Sequence, residues 1–179
     1  MTVIFGEING EKFVKLIKYL FTKCDSISFF VSDFSETWYT QKNISRFPNR
    51  VIGEKNSLSK NENSLDKYVS KMENDFPLLF ENYIKKHRDV EYYHTLSDRT
   101  LVIYEVPFDE KVLHEFLLKQ DGLYSFQYPK LPEDLCFFRG NTLLFSSVSH
   151  EKMCSIEDNV DEVKRDLIEL GIFKQEQFL

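Results

Sequence analysis

The sequence predicts a single α+β domain over residues 1–179, with a mixed or mostly antiparallel sheet, helices packed on it, and a C-terminal hairpin-helix unit. Segments with strand-like and helix-like apolar periodicity alternate irregularly along the chain. Two apolar runs within residues 131–151 flank Gly140-Asn141, a pair that tolerates the positive φ of a tight turn, so they indicate a β-hairpin. A chain of 179 residues is long enough to bury one core of ordinary size.

The N-terminal part of the chain predicts a strand, a helix and a second strand. Residues 3–8 are apolar enough for a short strand, and Asn9 is placed to cap the helix that follows. Residues 26–31 form an apolar run bounded by polar residues, which is typical of a strand, so the three elements indicate a β-α-β unit. The helix has one apolar stripe, made of Phe13, Leu16, Ile17, Leu20 and Phe21.

The middle of the chain predicts a loop and then a long helix. Residues 41–64 contain few apolar side chains and no periodicity, so we expect a mobile loop or a functional excursion there. A helical pattern runs from Leu65 to Tyr83 and should split at Pro77, which cannot donate a backbone hydrogen bond. The basic run 85–88 is interpreted as a helix end, where cations interact favourably with the helix dipole.

The C-terminal half predicts a second strand-helix pair before the hairpin and a final helix after it. Residues 101–106 favour a strand, and Asp109 begins a helix that Gly122 ends. Asn159 to Glu162 have capping-box spacing, which predicts a last helix through residue 170. Seven apolar residues of these elements are predicted to be core: Phe13, Leu16, Phe29, Val102, Phe116, Phe138 and Phe145.

Composition restricts the class of partner. The net charge of −6 disfavours general binding to nucleic acid or to an anionic membrane surface, and it is compatible with a basic protein partner. The three cysteines have neither the number nor the spacing of a disulfide framework, so reduced thiols in a cytoplasmic protein are expected. The N-terminus lacks the pattern of a signal peptide, and no apolar window has the length of a membrane span.

Catalytic and metal-binding motifs are absent from the sequence. Cys136, His150 and Cys154 could approach one another around the hairpin, but a fourth zinc ligand is not identifiable, and adjacent His150 and Glu151 should point to opposite faces of a strand. No phosphate-binding glycine loop or hydrolase motif is present. We therefore expect no cofactor, no metal site and no catalytic residue, and interpret the cysteines as small buried apolar residues.

Acidic residues near strand ends are the best candidates for a binding surface. Glu133, Asp134 and Glu151 flank the hairpin, where side chains are expected to project away from the core, and Trp38 and Tyr39 are candidate aromatic anchors. An equally simple interpretation remains open, in which Glu133 and Asp134 end a loop, Glu151 is solvated, and Trp38 packs in the core.

The order Pro132-Glu133-Asp134-Leu135-Cys136-Phe137-Phe138, polar turn, apolar strand and Ser149-His150-Glu151 resembles poorly characterised small bacterial proteins. Some of these resemble immunity proteins of polymorphic toxin systems. The resemblance implies a non-enzymatic cytosolic protein-binding module that inhibits a cognate, cationic toxin by occlusion. Two other hypotheses remain: a small hydrolase or transferase with a site assembled from distant residues, including Cys136, His150 and Glu151, and a regulatory or structural subunit. The oligomeric state is not predicted.

Overall fold

The computed structural model describes residues 2–32, 54–92, 95–127, 129–157 and 160–178. Its strands are β1 (Thr2–Phe5), β2 (Ser26–Val31), β3 (Lys85–Tyr92), β4 (Thr95–Pro107), β5 (Glu133–Arg139), β6 (Thr142–Val148) and β7 (Met153–Ile156). They form one seven-stranded sheet in the order β1-β7-β6-β5-β2-β4-β3, and every neighbouring pair is antiparallel. Together with the helices, this sheet confirms the predicted single α+β domain.

Four α-helices accompany the sheet within the described ranges: α1 (Gly10–Lys23), α2 (Glu54–Asp75), α3 (Pro77–Phe80) and α4 (Asp161–Glu169). A π-helix over Val112–Phe116 continues into a 3₁₀ turn over Leu117–Lys119, and further 3₁₀ turns occupy Leu123–Ser125, Ser149–Glu151 and Gln175–Phe178. Among the described helices, none combines the length and the apolar character that a bilayer crossing requires.

The core lies mainly on one face of the sheet. That face carries the larger apolar cluster, to which α1, α2 and α4 contribute Phe13, Met72 and Leu167. The opposite face carries a smaller cluster, which consists of Phe30, Tyr92, Leu101, Ile103, Cys136 and Phe138. All seven residues predicted to be core are buried: Phe13, Leu16, Phe29, Val102, Phe116, Phe138 and Phe145.

The hairpin is confirmed, and it is tied to two other elements. Gly140 has a φ of +56°, as the tight turn requires, and its N–H donates to Asp25 Oδ2 at 2.8 Å. Arg139 Nη1 lies 2.9 Å from Glu162 Oε1 on α4. The residue in the N-cap position of α4 is Val160, so Glu162 does not close a capping box but joins the helix to the hairpin.

The predicted β-α-β unit forms, and its two strands are not neighbours in the sheet. Both strands and the intervening helix form, but β7, β6 and β5 lie between β1 and β2 in the sheet. Four successive antiparallel pairings separate the two strands, so β1 and β2 still run in the same direction. α1 therefore crosses three strands on the core face before the chain re-enters the sheet.

The long helical pattern splits at Pro77 as predicted, with α2 ending at Asp75 and α3 beginning at the proline. Residues 54–64 belong to α2, which corrects the second part of the loop predicted over 41–64. Residues 41–53 lie outside the described residues.

The basic run 85–88 begins β3, and its interpretation as a helix end is therefore wrong. Lys86 Nζ lies 2.7 Å from Glu73 Oε1 on α2, and Arg88 pairs with Asp66 on the same helix. Tyr104 on β4 donates its hydroxyl to Glu73 as well. Although burial acts to raise the pKa of Glu73, the bonds from Lys86 and Tyr104 hold it below its ordinary value. These basic residues attach α2 to the sheet.

Candidate functional site

Two of the predicted binding acids lie inside the protein. Glu133 and Asp134 begin β5 and are buried, and only 1% of Asp134 is exposed. Asp134 has a φ of 50°, and its Oδ1 accepts a hydrogen bond from the Ser149 N–H at 2.7 Å. Next to it, Leu135 N–H donates to Ser147 Oγ at 3.0 Å. The expectation that Glu133 and Asp134 project from the core is therefore wrong, since both are buried, and Asp134 and Leu135 bond the start of β5 to the end of β6.

Glu151 is at the surface, as predicted. It ends the 3₁₀ turn between β6 and β7, about half of its side chain is exposed, and its Oε1 lies 3.7 Å from His150 Nε2. The three acids therefore do not form one exposed surface. Trp38 and Tyr39, the predicted aromatic anchors, lie outside the described residues.

The turn that presents Glu151 is joined to the end of β1. Lys152 adopts a left-handed conformation with a φ of 52°, and its carbonyl accepts a hydrogen bond from the Gly6 N–H at 3.3 Å. The Lys152 ammonium binds the Glu7 carboxylate, which also accepts a bond from Asn9 Nδ2 at 3.2 Å. These two bonds hold the pKa of Glu7 below its ordinary value, so Glu7 is ionised at neutral pH.

An exposed aromatic side chain lies on β1, two residues before Glu7 in the chain. Phe5 on β1 is 67% exposed and Val3 is 36% exposed, and both project from the face of the sheet opposite the main core. Phe5 is opposite Met153 in the β1–β7 pairing, two residues after Glu151. We define the β1 surface as Val3, Phe5, Glu7 and Glu151.

Sequence reasoning missed three of the four residues of the β1 surface. Residues 2–5 are Thr-Val-Ile-Phe, so neither set of alternate residues is charged, and the sequence does not indicate which set faces solvent. The exposed set became identifiable only when the pairing of β1 with β7 placed β1 at one end of the sheet.

The thiols are buried in positions that suit structural residues. Burial raises the pKa of Cys24 and Cys154 to about 12, and it also raises the pKa of Cys136. All three are free cysteines. Because the thiolate is the nucleophilic form, a raised pKa leaves little of it at neutral pH.

The residues proposed for a hydrolase or transferase site are not brought together. Cys136 lies inside the sheet, opposite Ser28 on β2 and Ser146 on β6. His150 follows Ser146 by four residues, beyond the end of β6, and its side chain is exposed. Cys136 is therefore buried within the sheet while His150 is exposed on the 3₁₀ turn, and the two side chains do not form the hydrogen-bonded pair that a cysteine nucleophile and its base require.

Polar side chains form a row across the second face of the sheet. Paired positions place Ser155, Ser146, Cys136, Ser28, Glu105 and Lys85 side by side on β7, β6, β5, β2, β4 and β3. Ser146 and Ser155 share a hydrogen bond of 2.5 Å, and Ser28 bonds the Tyr92 hydroxyl at 2.8 Å. Since these buried hydroxyl groups bind one another, the row supports the sheet. Within the described ranges, no three His, Cys, Asp or Glu side chains are placed to hold a metal ion.

Comparison of the chain with protein-family models, with curated proteins and with solved structures gave no significant match.

Proposed function

We propose that this protein is a non-enzymatic protein-binding module of the cytoplasm, an immunity protein that inhibits a cognate toxin by covering a site on it. The observation that carries the proposal is Phe5, an aromatic side chain that is 67% exposed and lies opposite Met153, the first residue of β7 after the turn that presents Glu151. Aromatic residues that become buried on binding supply much of the affinity of protein interfaces, and charges at the rim supply specificity and association rate.

The charge of the chain supports a cationic partner. The net charge is −6, and Glu151 presents a half-exposed carboxylate on the turn before β7, whereas the charge of Glu7 is compensated by Lys152. Association with a cationic protein would be accelerated by long-range attraction, which salt screens over about 10 Å at 0.1 M. Inhibition by occlusion needs surface complementarity and no reactive group, which fits cysteines held as neutral thiols.

The first test compares partner capture by two variants. Tagged wild-type protein, Phe5→Ala and Ile84→Ala are used as baits in the native cell, and retained proteins are identified by mass spectrometry. Ile84 is a matched control because it is apolar, 59% exposed, and lies beside β3 at the opposite end of the sheet. We expect one protein that the wild type and Ile84→Ala retain and that Phe5→Ala loses.

The second test uses that protein in purified form. Its association rate should fall with increasing salt, and Glu151→Gln should lower the rate at low salt with little effect on dissociation. Its toxic activity should be blocked by the wild type and not by Phe5→Ala. Equal retention by all three baits, or a retained protein that shows no toxic activity, would overturn the proposal.

A further inference from the structure

The two ends of the sheet differ in charge and regularity. β3 begins with five consecutive titratable residues, 85–89, and its pairing with β4 is interrupted after Asp89. Charged residues and irregular pairing are features that keep an edge strand from pairing with another chain. β1 has neither feature, since Thr2–Phe5 are uncharged and pair with β7 in unbroken register.

Hydrogen bonding shows which backbone groups of β1 point away from β7. The Gly6 N–H donates to the Lys152 carbonyl at 3.3 Å, in register with the β1–β7 pairing. Hydrogen-bonded residues alternate along an antiparallel pair, so Ile4 also directs its backbone groups toward β7, whereas Val3 and Phe5 direct theirs away from it. Val3 and Phe5 are also the β1 residues with the exposed side chains.

We propose that two copies of the chain associate through their β1 strands, antiparallel about a twofold axis between the two Ile4 residues. Val3 of each copy then lies opposite Phe5 of the other, and the backbone groups that point away from β7 form two hydrogen bonds in each of these two pairs. The same pairing sets a branched side chain against an aromatic one, a favourable cross-strand combination. The two sheets become continuous, and their main cores remain on the same side.

Two described neighbours of β1, Glu7 and the C-terminal turn Gln175–Phe178, are compatible with this association. Glu7, the charged residue nearest to β1 in the chain, is paired with Lys152, so the two copies do not place uncompensated carboxylates against each other. Phe178 of the C-terminal turn packs edge-on against the core residue Phe173, with 5.8 Å between ring centroids, and contacts the larger cluster, which places the turn on the side of the main core. A strand of four residues gives a small interface, so the dimer is concentration-dependent.

The inference goes beyond the proposed function and does not depend on it, because dimerisation is measured on the protein alone. Dimerisation and partner binding both involve Phe5, which would be covered in the dimer and in a complex with the partner. A partner that binds the β1 surface would therefore compete with the second copy.

Sedimentation velocity over a range of protein concentrations tests the dimer. We expect a reversible monomer–dimer equilibrium in the wild type and a dissociation constant at least tenfold higher, about 1.4 kcal/mol, in Phe5→Lys. Ile84→Lys, which adds the same charge at the other end of the sheet, should leave the constant unchanged. A wild type that stays monomeric at every concentration, or a Phe5→Lys variant that dimerises like the wild type, overturns the proposal.

Cross-linking tests the register. Val3→Cys and Phe5→Cys are made in separate chains and mixed under mild oxidation, while the native thiols remain buried. Opposite hydrogen-bonded residues have Cα atoms about 5.5 Å apart, which a disulfide spans, whereas two Val3 positions would be about 8 Å apart. We expect cross-linked dimer in the mixture and much less with either variant alone. Equal cross-linking in all three samples, or none in the mixture, overturns this arrangement.

Discussion

Asp134 combines a left-handed backbone conformation with a buried carboxylate that accepts the Ser149 N–H at 2.7 Å. Removing the acceptor leaves a buried donor without its partner and keeps the backbone strain of a non-glycine residue at positive φ. Asp134→Ala should therefore lower the free energy of unfolding by about 1–3 kcal/mol, measured by urea denaturation. Asp134→Asn, which retains an acceptor oxygen, should recover part of this loss.

Glu151→Ala is the matched control for this prediction, because Glu151 is an exposed acid of the same hairpin region. Its effect on the free energy of unfolding should stay within about 0.5 kcal/mol. Equal losses in Asp134→Ala and Glu151→Ala would show that the bond to Ser149 does not stabilise the turn.

The different positions of Asp134 and Glu151 show the limit of sequence reasoning at single residues. Both acids adjoin strand ends, and both were expected to be exposed. The sequence contains the hairpin, but it does not reveal that Ser147 and Ser149 bond back to the start of β5. Burial of an acid depends on such distant partners, and these exist only after the strands have paired.

At the scale of elements, α1 and α4 are joined by Asp166. Its Oδ2 accepts the Tyr19 hydroxyl at 2.9 Å and lies 3.2 Å from Lys23 Nζ. The bond from Tyr19 lowers the pKa of Asp166 below its ordinary 3.8, and Lys23 also lowers it, against a smaller opposing effect of burial. Burial and Asp166 raise the pKa of Tyr19, so the hydroxyl keeps its proton at neutral pH.

Tyr19→Phe should lower the free energy of unfolding by about 1 kcal/mol at neutral pH, because one hydrogen bond to a charged acceptor is lost. A carboxyl with a lowered folded-state pKa contributes stability that is present above its unfolded pKa and is lost as the pH falls through the folded one. The difference between Tyr19→Phe and the wild type should therefore shrink as the pH is lowered through 3.8 and below.

Tyr83→Phe is the control, since the Tyr83 ring packs edge-on against Tyr104 and phenylalanine keeps that contact. Urea denaturation at several pH values compares the three proteins. A loss in Tyr19→Phe that persists unchanged at low pH would assign its effect to packing of the ring.

Elements that are fixed by one or a few neighbouring residues can be predicted from the sequence, and elements that are fixed by contacts between distant residues cannot. The split at Pro77 and the turn at Gly140 follow from single residues, so both were predicted correctly. The basic run 85–88, read locally, predicts a helix end. It belongs instead to a strand whose charges pair with Glu73 and Asp66 on α2, and the local sequence does not indicate these partners. The insertion of three strands between β1 and β2 is likewise set by pairing across long sequence separations.

At the scale of the whole molecule, the hairpin connects the two apolar clusters. Phe145 on β6 belongs to the larger cluster, and Phe138 on β5 belongs to the smaller one on the other face of the same sheet. Because both clusters depend on the same strands, neither should persist when the other is lost. The chain should then unfold in a single cooperative transition.

Phe138→Ala and Phe145→Ala should each lower the free energy of unfolding by about 3–5 kcal/mol, since both side chains are buried. Circular dichroism and tyrosine fluorescence, recorded over the same urea series, should give coincident transitions in both variants. Leu170→Ala, at a position that is 41% exposed, should change the midpoint little. If Phe138→Ala produced an early transition in one signal only, the second face of the sheet would be a separately stable unit. A common shift in both signals would instead place the two clusters in one cooperative core, with the hairpin as the element they share.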